Sequence, residues 1–164
     1  MDDMNTVTYR QQIQPSDIEA IADLVESSGF FSDEELEIAI ELAEEKLEIK
    51  EASSYRFLFA EDNHRVLGYT CYGLVPATSF SYDIYWIVVA NDLQGRGLGK
   101  LLMAETEKLI GSSGGRQIYA ETSSREQYKS TRIFYENCGY KKEAFLKDFY
   151  TEGDSKIIYS KAIK

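Results

Sequence analysis

Asp83-Ile84-Tyr85-Trp86-Ile87-Val88-Val89-Ala90-Asn91-Asp92-Leu93-Gln94-Gly95-Arg96-Gly97-Leu98-Gly99-Lys100 runs from a β-branched strand through a glycine-rich loop into a stretch with apolar residues at helical spacing. This order suits an anion. The first N–H groups of a helix lack intrahelical partners, its dipole is positive there, and glycines let a phosphate approach the main chain. Two familiar phosphate loops do not fit. The dinucleotide pattern G-x-G-x-x-G would need glycine where Lys100 or Leu102 stands. The Walker pattern would need Ser or Thr after Gly99-Lys100, where the chain has Leu101. Q-x-x-G-x-G remains, at Gln94, Gly97 and Gly99.

Upstream of this stretch, Thr6 to Ile13 alternates as a first strand, and Pro15-Ser16-Asp17 opens a helix that Gly29 closes. Ser32 with Glu35 forms a capping box for a second helix running towards Ala52. Leu36, Ala39, Ile40, Ala43 and Leu47 make its core stripe, while Ile38, Leu42 and Ile49 project elsewhere, which leaves a homodimer contact open. Tyr55 to Ala60 and Arg65 to Val75 read as a hairpin around Glu61-Asp62-Asn63-His64, ended by Pro76, and Ser81 to Val89 follows as a strand. Downstream come a helix from Leu98 to Ile110, a strand at Gln117 to Thr122 and a helix near Tyr128 to Asn137. Strands at Tyr140 to Asp148 and Lys156 to Ala162 complete the chain. The order β-α-α-β-β-β-α-β-α-β-β is a mixed α/β (α+β) pattern, a mostly antiparallel central sheet flanked by helices.

The 164 residues suit one domain, 1–164, and 43% hydrophobic with 13% aromatic residues is a globular composition. No leader-like segment and no run of eighteen apolar residues occurs, so a soluble, cytoplasmic chain without a membrane partner is expected. Cys71 and Cys138 read as isolated core thiols, and with His64 as the one histidine no metal site is expected. A formal net charge of −10 disfavours nucleic acid and is compatible with a cationic substrate.

The strand, Q-x-x-G-x-G and helix resemble the acetyl-CoA pyrophosphate site of the GNAT superfamily of N-acetyltransferases. Phe134-Tyr135-Glu136-Asn137-Cys138-Gly139-Tyr140 resembles that family's second signature, L-Y-x-x-x-G-F, and the element order is similar to its fold over nearly the whole chain. The resemblance implies acetyl-CoA as cosubstrate. Backbone groups of Ile87, Val88 and Val89 would pair with the pantetheine arm, and the amides of Gln94, Gly95, Arg96, Gly97, Leu98, Gly99 and Lys100 would hold the pyrophosphate. Lys100, Arg125, Lys129 and Arg132 are the cations expected near the CoA phosphates, and Tyr128 joins Arg132 on the cofactor side. Tyr128 and Thr131 depart from the family, where asparagine and alanine are common.

Direct acyl transfer needs a proton acceptor for the ammonium, donors for the oxyanion and an acid for the thiolate. Tyr135 is the candidate acid. Tyr128, Thr131, Arg132 and Tyr135 share a helix face by their spacing. Asp83 is the candidate base and Glu121 its rival, with a water relay or an already neutral amine also open. The acceptor is expected to be a primary amine, small-molecule or peptide, entering between the first two helices and the Phe149 to Asp154 link. Phe30, Phe31, Tyr72 and Tyr85, with Phe149 and Tyr150, would supply its walls, and Asp83 with Glu152 would draw in the ammonium. The alternative is a catalytically silent acyl-CoA-binding or interaction module of the same fold.

Overall fold

The computed structural model describes residues 6–164. It has seven strands and four helices in the order β1 (Thr8–Arg10), α1 (Asp17–Ser27), α2 (Asp33–Ile49), β2 (Arg56–Asp62), β3 (Arg65–Leu74), β4 (Ser81–Val89), α3 (Leu98–Ser112), β5 (Gln117–Ser123), α4 (Lys129–Asn137), β6 (Lys141–Thr151) and β7 (Asp154–Ala162). The strands are hydrogen-bonded in the order β1-β2-β3-β4-β5-β7-β6, with β4 and β5 parallel and the β1–β2, β2–β3, β5–β7 and β6–β7 pairs antiparallel. This is the mixed α/β fold the element order predicts.

The chain divides into two compact units, one formed by the segment ending at Gly73 with Trp86–Thr106, the other by Leu74–Tyr85 with Glu107–Lys164. In the first unit the α2 capping box is formed: Ser32 Oγ accepts from the Glu35 amide at 3.2 Å and Glu35 accepts from the Ser32 amide at 3.0 Å. Of the expected stripe Ala39 and Ala43 are buried and Leu36, Ile40 and Leu47 half-buried, while Ile38 and Ile49, expected to project elsewhere, are exposed. Asn63 and His64 both take positive φ, 47° and 67°, the backbone that a two-residue hairpin turn between twisted strands requires. Phe57, Phe59 and Tyr69 stack with centroids 5.8 to 6.2 Å apart and, with Leu98, Leu102 and Met103 on α3, are almost fully buried. Gly68 is required for a different reason. A Cβ there would stand 2.7 Å from the Val88 carbonyl oxygen and 3.3 Å from Val89 Cα.

Strand β1 is three residues long, much shorter than the Thr6 to Ile13 alternation predicts. The Arg10 side chain ends it, because its guanidinium binds both carboxylate oxygens of buried Asp17 at 2.8 Å and Glu61 at 2.8 Å, while the Gln14 amide also donates to Asp17. In the second unit Ile110, Ile118, Ala120, Ile157 and Tyr159 form the core. Strand β6 continues to Thr151, past the expected end at Asp148, and β7 starts at Asp154. Asp148 takes a φ of 51°, its amide donates to Ser155 Oγ, and its carboxylate accepts from the Gly153 amide. The strand therefore bulges at Asp148 and resumes, with Thr151 paired to Asp154. Tyr128 likewise lies in a 3-10 turn before α4, so the expected four-residue helix face begins one turn late.

Candidate active site

Within the first unit, β4 passes through a short 3-10 turn at Asn91–Leu93 into the exposed loop from Gln94 to Gly97, and α3 starts at Leu98. Gly95 and Gly97 hold positive φ values of 77° and 86°, and open space surrounds the position of a Cβ at each. Side chains rarely adopt that backbone, so glycine keeps the loop low and its surface clear. The Leu101 amide donates to the Gly97 carbonyl as α3 begins, leaving the amides ahead of it without helical acceptors. Arg65 grips Asp92 through two contacts, at 2.7 and 3.2 Å, and Gln94 donates to Asn91 Oδ1. Asn91 in turn donates to the Ser27 carbonyl at the end of α1. These tethers were not legible in the sequence, since Asn91, Asp92 and Arg65 belong to no motif. The Arg65 pair also holds the Asp92 carboxyl below the usual carboxylate range.

The residues fit a pyrophosphate: an exposed double-glycine loop leads into a helix start, and open space surrounds the position of a Cβ at Gly95 and at Gly97. On β4 itself Val88 is buried while Ile87 and Val89 are half-buried, and the Ala90 amide donates to the Leu67 carbonyl. Trp86 meets Phe31 edge-on at 5.1 Å, and Phe31 packs against Phe30 at 6.4 Å. Tyr72 is buried on β3, and Lys100 is exposed on α3.

The second unit carries the titratable groups. Tyr135 is 5% exposed, with its ring among those of Phe134, Tyr140 and Tyr159 at 5.6 to 5.9 Å. Its hydroxyl has no hydrogen-bond partner among the described residues. Burial, with the nearby Cys138, pushes that phenol well above its ordinary value, so it keeps its proton at neutral pH. Arg132 spends one guanidinium nitrogen on the carbonyls of Ser123 and Arg125, both at 2.8 Å, and so clamps the β5–α4 connection. Lys129 pairs with Glu126 at 3.8 Å on the surface, and Arg125 is exposed.

Asp83 is half-buried on β4, paired in register with Tyr119, and makes no hydrogen bond or ion pair among the described residues. Burial raises its carboxyl above the ordinary range, Glu121 raises it further, and Lys156 opposes both. Glu121 is exposed and bound to Lys156 at 2.8 Å. The Lys156 ammonium also lies 3.8 Å from the Phe149 ring centroid and 5.8 Å from that of Tyr150. The two aromatics expected to line an acceptor thus face an internal cation. Tyr85, two residues after Asp83, is 38% exposed, and Glu152 is exposed in the β6–β7 turn. Sequence reasoning missed Lys156; a lysine leading an apolar strand (Ile157, Ile158) was the available signal. Cys71 is buried and Cys138 half-buried, and neither forms a disulfide among the described residues. Among the described residues there is no group of three or more side chains placed to hold a metal, and no helix is long and apolar enough to cross a membrane.

Residues 53–142 match the model of the acetyltransferase (GNAT) domain. A crystal structure of a protein assigned to the GNAT family of acetyltransferases from Desulfovibrio desulfuricans superposes with a TM-score of 0.94 at 45% identity, covering 96% of this chain and 99% of that one. An aminoglycoside 6'-N-acetyltransferase crystallised with coenzyme A superposes with a TM-score of 0.75 at 19% identity over 96% and 97% of the two chains. Spermidine N-acetyltransferase from Vibrio cholerae, in a mutant form, gives 0.76 at 17% identity over 96% and 94%. No curated protein matches the sequence. Fold, loop and family model agree on a class of acyl-transferring α/β proteins, and the chain belongs to the GNAT acetyltransferase family.

Proposed function

We propose that the protein is an N-acetyltransferase that moves the acetyl group of acetyl-CoA directly to a primary amine. The observation that carries this reading is the loop from Gln94 to Gly97, in which two left-handed glycines leave amides and open space at the start of α3. When bound, acetyl-CoA supplies an activated acyl carbon as a thioester. The amides of Gln94 to Lys100 hold its pyrophosphate, and the β4 backbone at Ile87, Val88 and Val89 pairs with its pantetheine arm. Tyr128 and Arg132 serve the same cofactor, Arg132 by fixing the β5–α4 connection.

Asp83, ionised above its raised pKa, takes one proton from the ammonium, directly or through a water, and so frees the lone pair that forms the new C–N bond. Tyr135, which retains its proton, gives it to the thiolate released as the C–S bond breaks, and the phenol is restored by the second proton that the newly bonded, positively charged nitrogen sheds, directly or through a water, as it becomes the amide. Phe30, Phe31, Tyr72 and Tyr85 are the proposed apolar contacts of the acceptor. Amine acceptors also figure in the names of the aminoglycoside and spermidine enzymes that share the fold.

Calorimetry with acetyl-CoA tests the loop. The wild-type chain should bind, and Gly97→Glu, which adds both a carboxylate and a strained φ at the phosphate site, should lose binding. Equal affinity in the two proteins would remove the loop from the site.

A further inference from the structure

Two carboxylates and one lysine share one face of the sheet in the second unit, Asp83 on β4, Glu121 on β5 and Lys156 on β7, and the carboxylates are not equivalent. Glu121 on β5 holds Lys156 of β7 at 2.8 Å. Lys156 is held from another side by the β6 bulge, which lays Phe149 at 3.8 Å and Tyr150 at 5.8 Å from its ammonium, within the range at which an aromatic face attracts a cation. The lysine side chain is 13% exposed, so this charge is fixed in place. Asp83 on β4 has no such partner among the described residues.

We propose that Lys156 is a positioning residue for proton removal: clamped between Glu121 and the Phe149–Tyr150 pair, it neutralises Glu121 and leaves Asp83 as the carboxylate that accepts the proton from the acceptor amine. This rests on the acetyltransferase reading above. It separates the two candidate bases on physical grounds. A carboxylate in an ion pair must break that pair to gain a proton, whereas an unpaired, half-buried one need not. It also assigns Phe149 and Tyr150 to holding Lys156 rather than to touching substrate.

Asp83 is in register with Tyr119 on β5, Glu121 lies two residues on along the same face, and Lys156 stands opposite Ser123, two further on that face, so Glu121 and Lys156 are the charged groups that act on Asp83 from β5 and β7. The signs are therefore opposed. Lys156→Met removes the cation that favours the Asp83 carboxylate and leaves Glu121 uncompensated, so Asp83 should titrate at higher pH than in the parent. Glu121→Gln removes the like charge and frees the cation, so Asp83 should titrate at lower pH. Lys156→Arg keeps the charge and should return the midpoint towards the parent.

The decisive experiment follows the carbon-13 carboxyl resonance of Asp83, assigned by its loss in Asp83→Asn, through a pH titration of each full-length variant. The acid limb of kcat/KM is measured with acetyl-CoA and one reactive amine. At a fixed pH on that limb, Lys156→Met should lose roughly twofold or more in kcat/KM and Glu121→Gln should gain. Midpoints that stay put, or move the same way in Lys156→Met and Glu121→Gln, overturn the proposal. So does an acid limb that ignores the shifted Asp83 midpoint. Glu121 is exposed, so its variant should fold even if Lys156→Met does not. If the wild-type chain released no CoA with any amine, the acetyltransferase reading would fall, and the resonance titration would still decide whether Lys156 sets the charge on Asp83.

Discussion

Gly68→Ala turns the packing around the proposed pantetheine strand into a measurable quantity. Its new Cβ would lie 2.7 Å from the Val88 carbonyl oxygen and 3.3 Å from Val89 Cα, and both neighbours are backbone. No side chain can swing aside, so β3 and β4 must separate by about half an ångström, a form of overpacking that costs about 1–3 kcal/mol. For a chain of this size, 1 kcal/mol corresponds to about 2–4 °C in Tm, so a fall of about 5 °C is expected. Because Val88 and Val89 belong to the strand proposed to bind pantetheine, acetyl-CoA affinity should fall as well. Gly29→Ala is the control: its φ is 67° but nothing stands near the new Cβ, so only backbone strain of about 1 kcal/mol applies. Thermal melts and calorimetry on both variants, side by side, measure this. A Gly68→Ala protein that melts with the parent and binds acetyl-CoA equally well would refute the close approach at Val88.

Tyr135→Phe should lower kcat by about 100-fold or more while leaving acetyl-CoA affinity nearly unchanged, read by steady-state kinetics and calorimetry. Because the Tyr135 hydroxyl has no hydrogen-bond partner among the described residues, that variant should also melt within a degree or so of the parent. Asp83→Asn should depress kcat/KM most between the raised pKa of Asp83 and the pKa of the amine, since below that window the parent is protonated too and above it the amine needs no base. A uniform loss across pH would make Asp83 structural. Tyr69→Phe should raise stability by about 1 kcal/mol in a urea titration, because the buried Tyr69 hydroxyl lacks a partner among the described residues. Asp17→Ala should cost about 1–3 kcal/mol, since it removes two of the contacts of the partly buried Arg10 guanidinium and the acceptor of the Gln14 amide while Glu61 still holds Arg10; a loss below about 0.5 kcal/mol would show that water and Glu61 replace Asp17.

What the sequence could and could not say follows from the range of the forces involved. Strand β4 is read to the residue, Ser81 to Val89, because alternation and the flanking turn residues are local signals. The Ser32–Glu35 capping box is local too and is found where the pattern puts it, whereas the turn expected over Glu61 to His64 narrows to Asn63-His64 because β2 runs on through Asp62. Strand β1 is over-read because the chain turns after Arg10 around a side chain: buried Asp17 accepts from both Arg10 and the Gln14 amide, which apolar alternation does not encode. The bulge at Asp148 depends on hydrogen bonds with Gly153 and Ser155, across a hairpin whose pairing no local pattern encodes. The candidate residues are legible by type and spacing, whereas their division of labour is not. That Glu121 is paired and Asp83 is not depends on Lys156, thirty-five residues after Glu121, and on two rings that a bulge folds over it.

The central claim is that the chain acetylates a primary amine at the expense of acetyl-CoA. Incubation with acetyl-CoA and a panel of peptide α-amines, lysine side chains, polyamines, amino acids and aminoglycosides, with CoA thiol release followed and products weighed by mass spectrometry, tests it directly. The account predicts release of one CoA per N-acetyl product with at least one amine, lost in Gly97→Glu and strongly reduced in Tyr135→Phe. Acetyl-CoA binding without turnover on any amine, or acetylation of hydroxyl or thiol acceptors in preference to every amine, would contradict it.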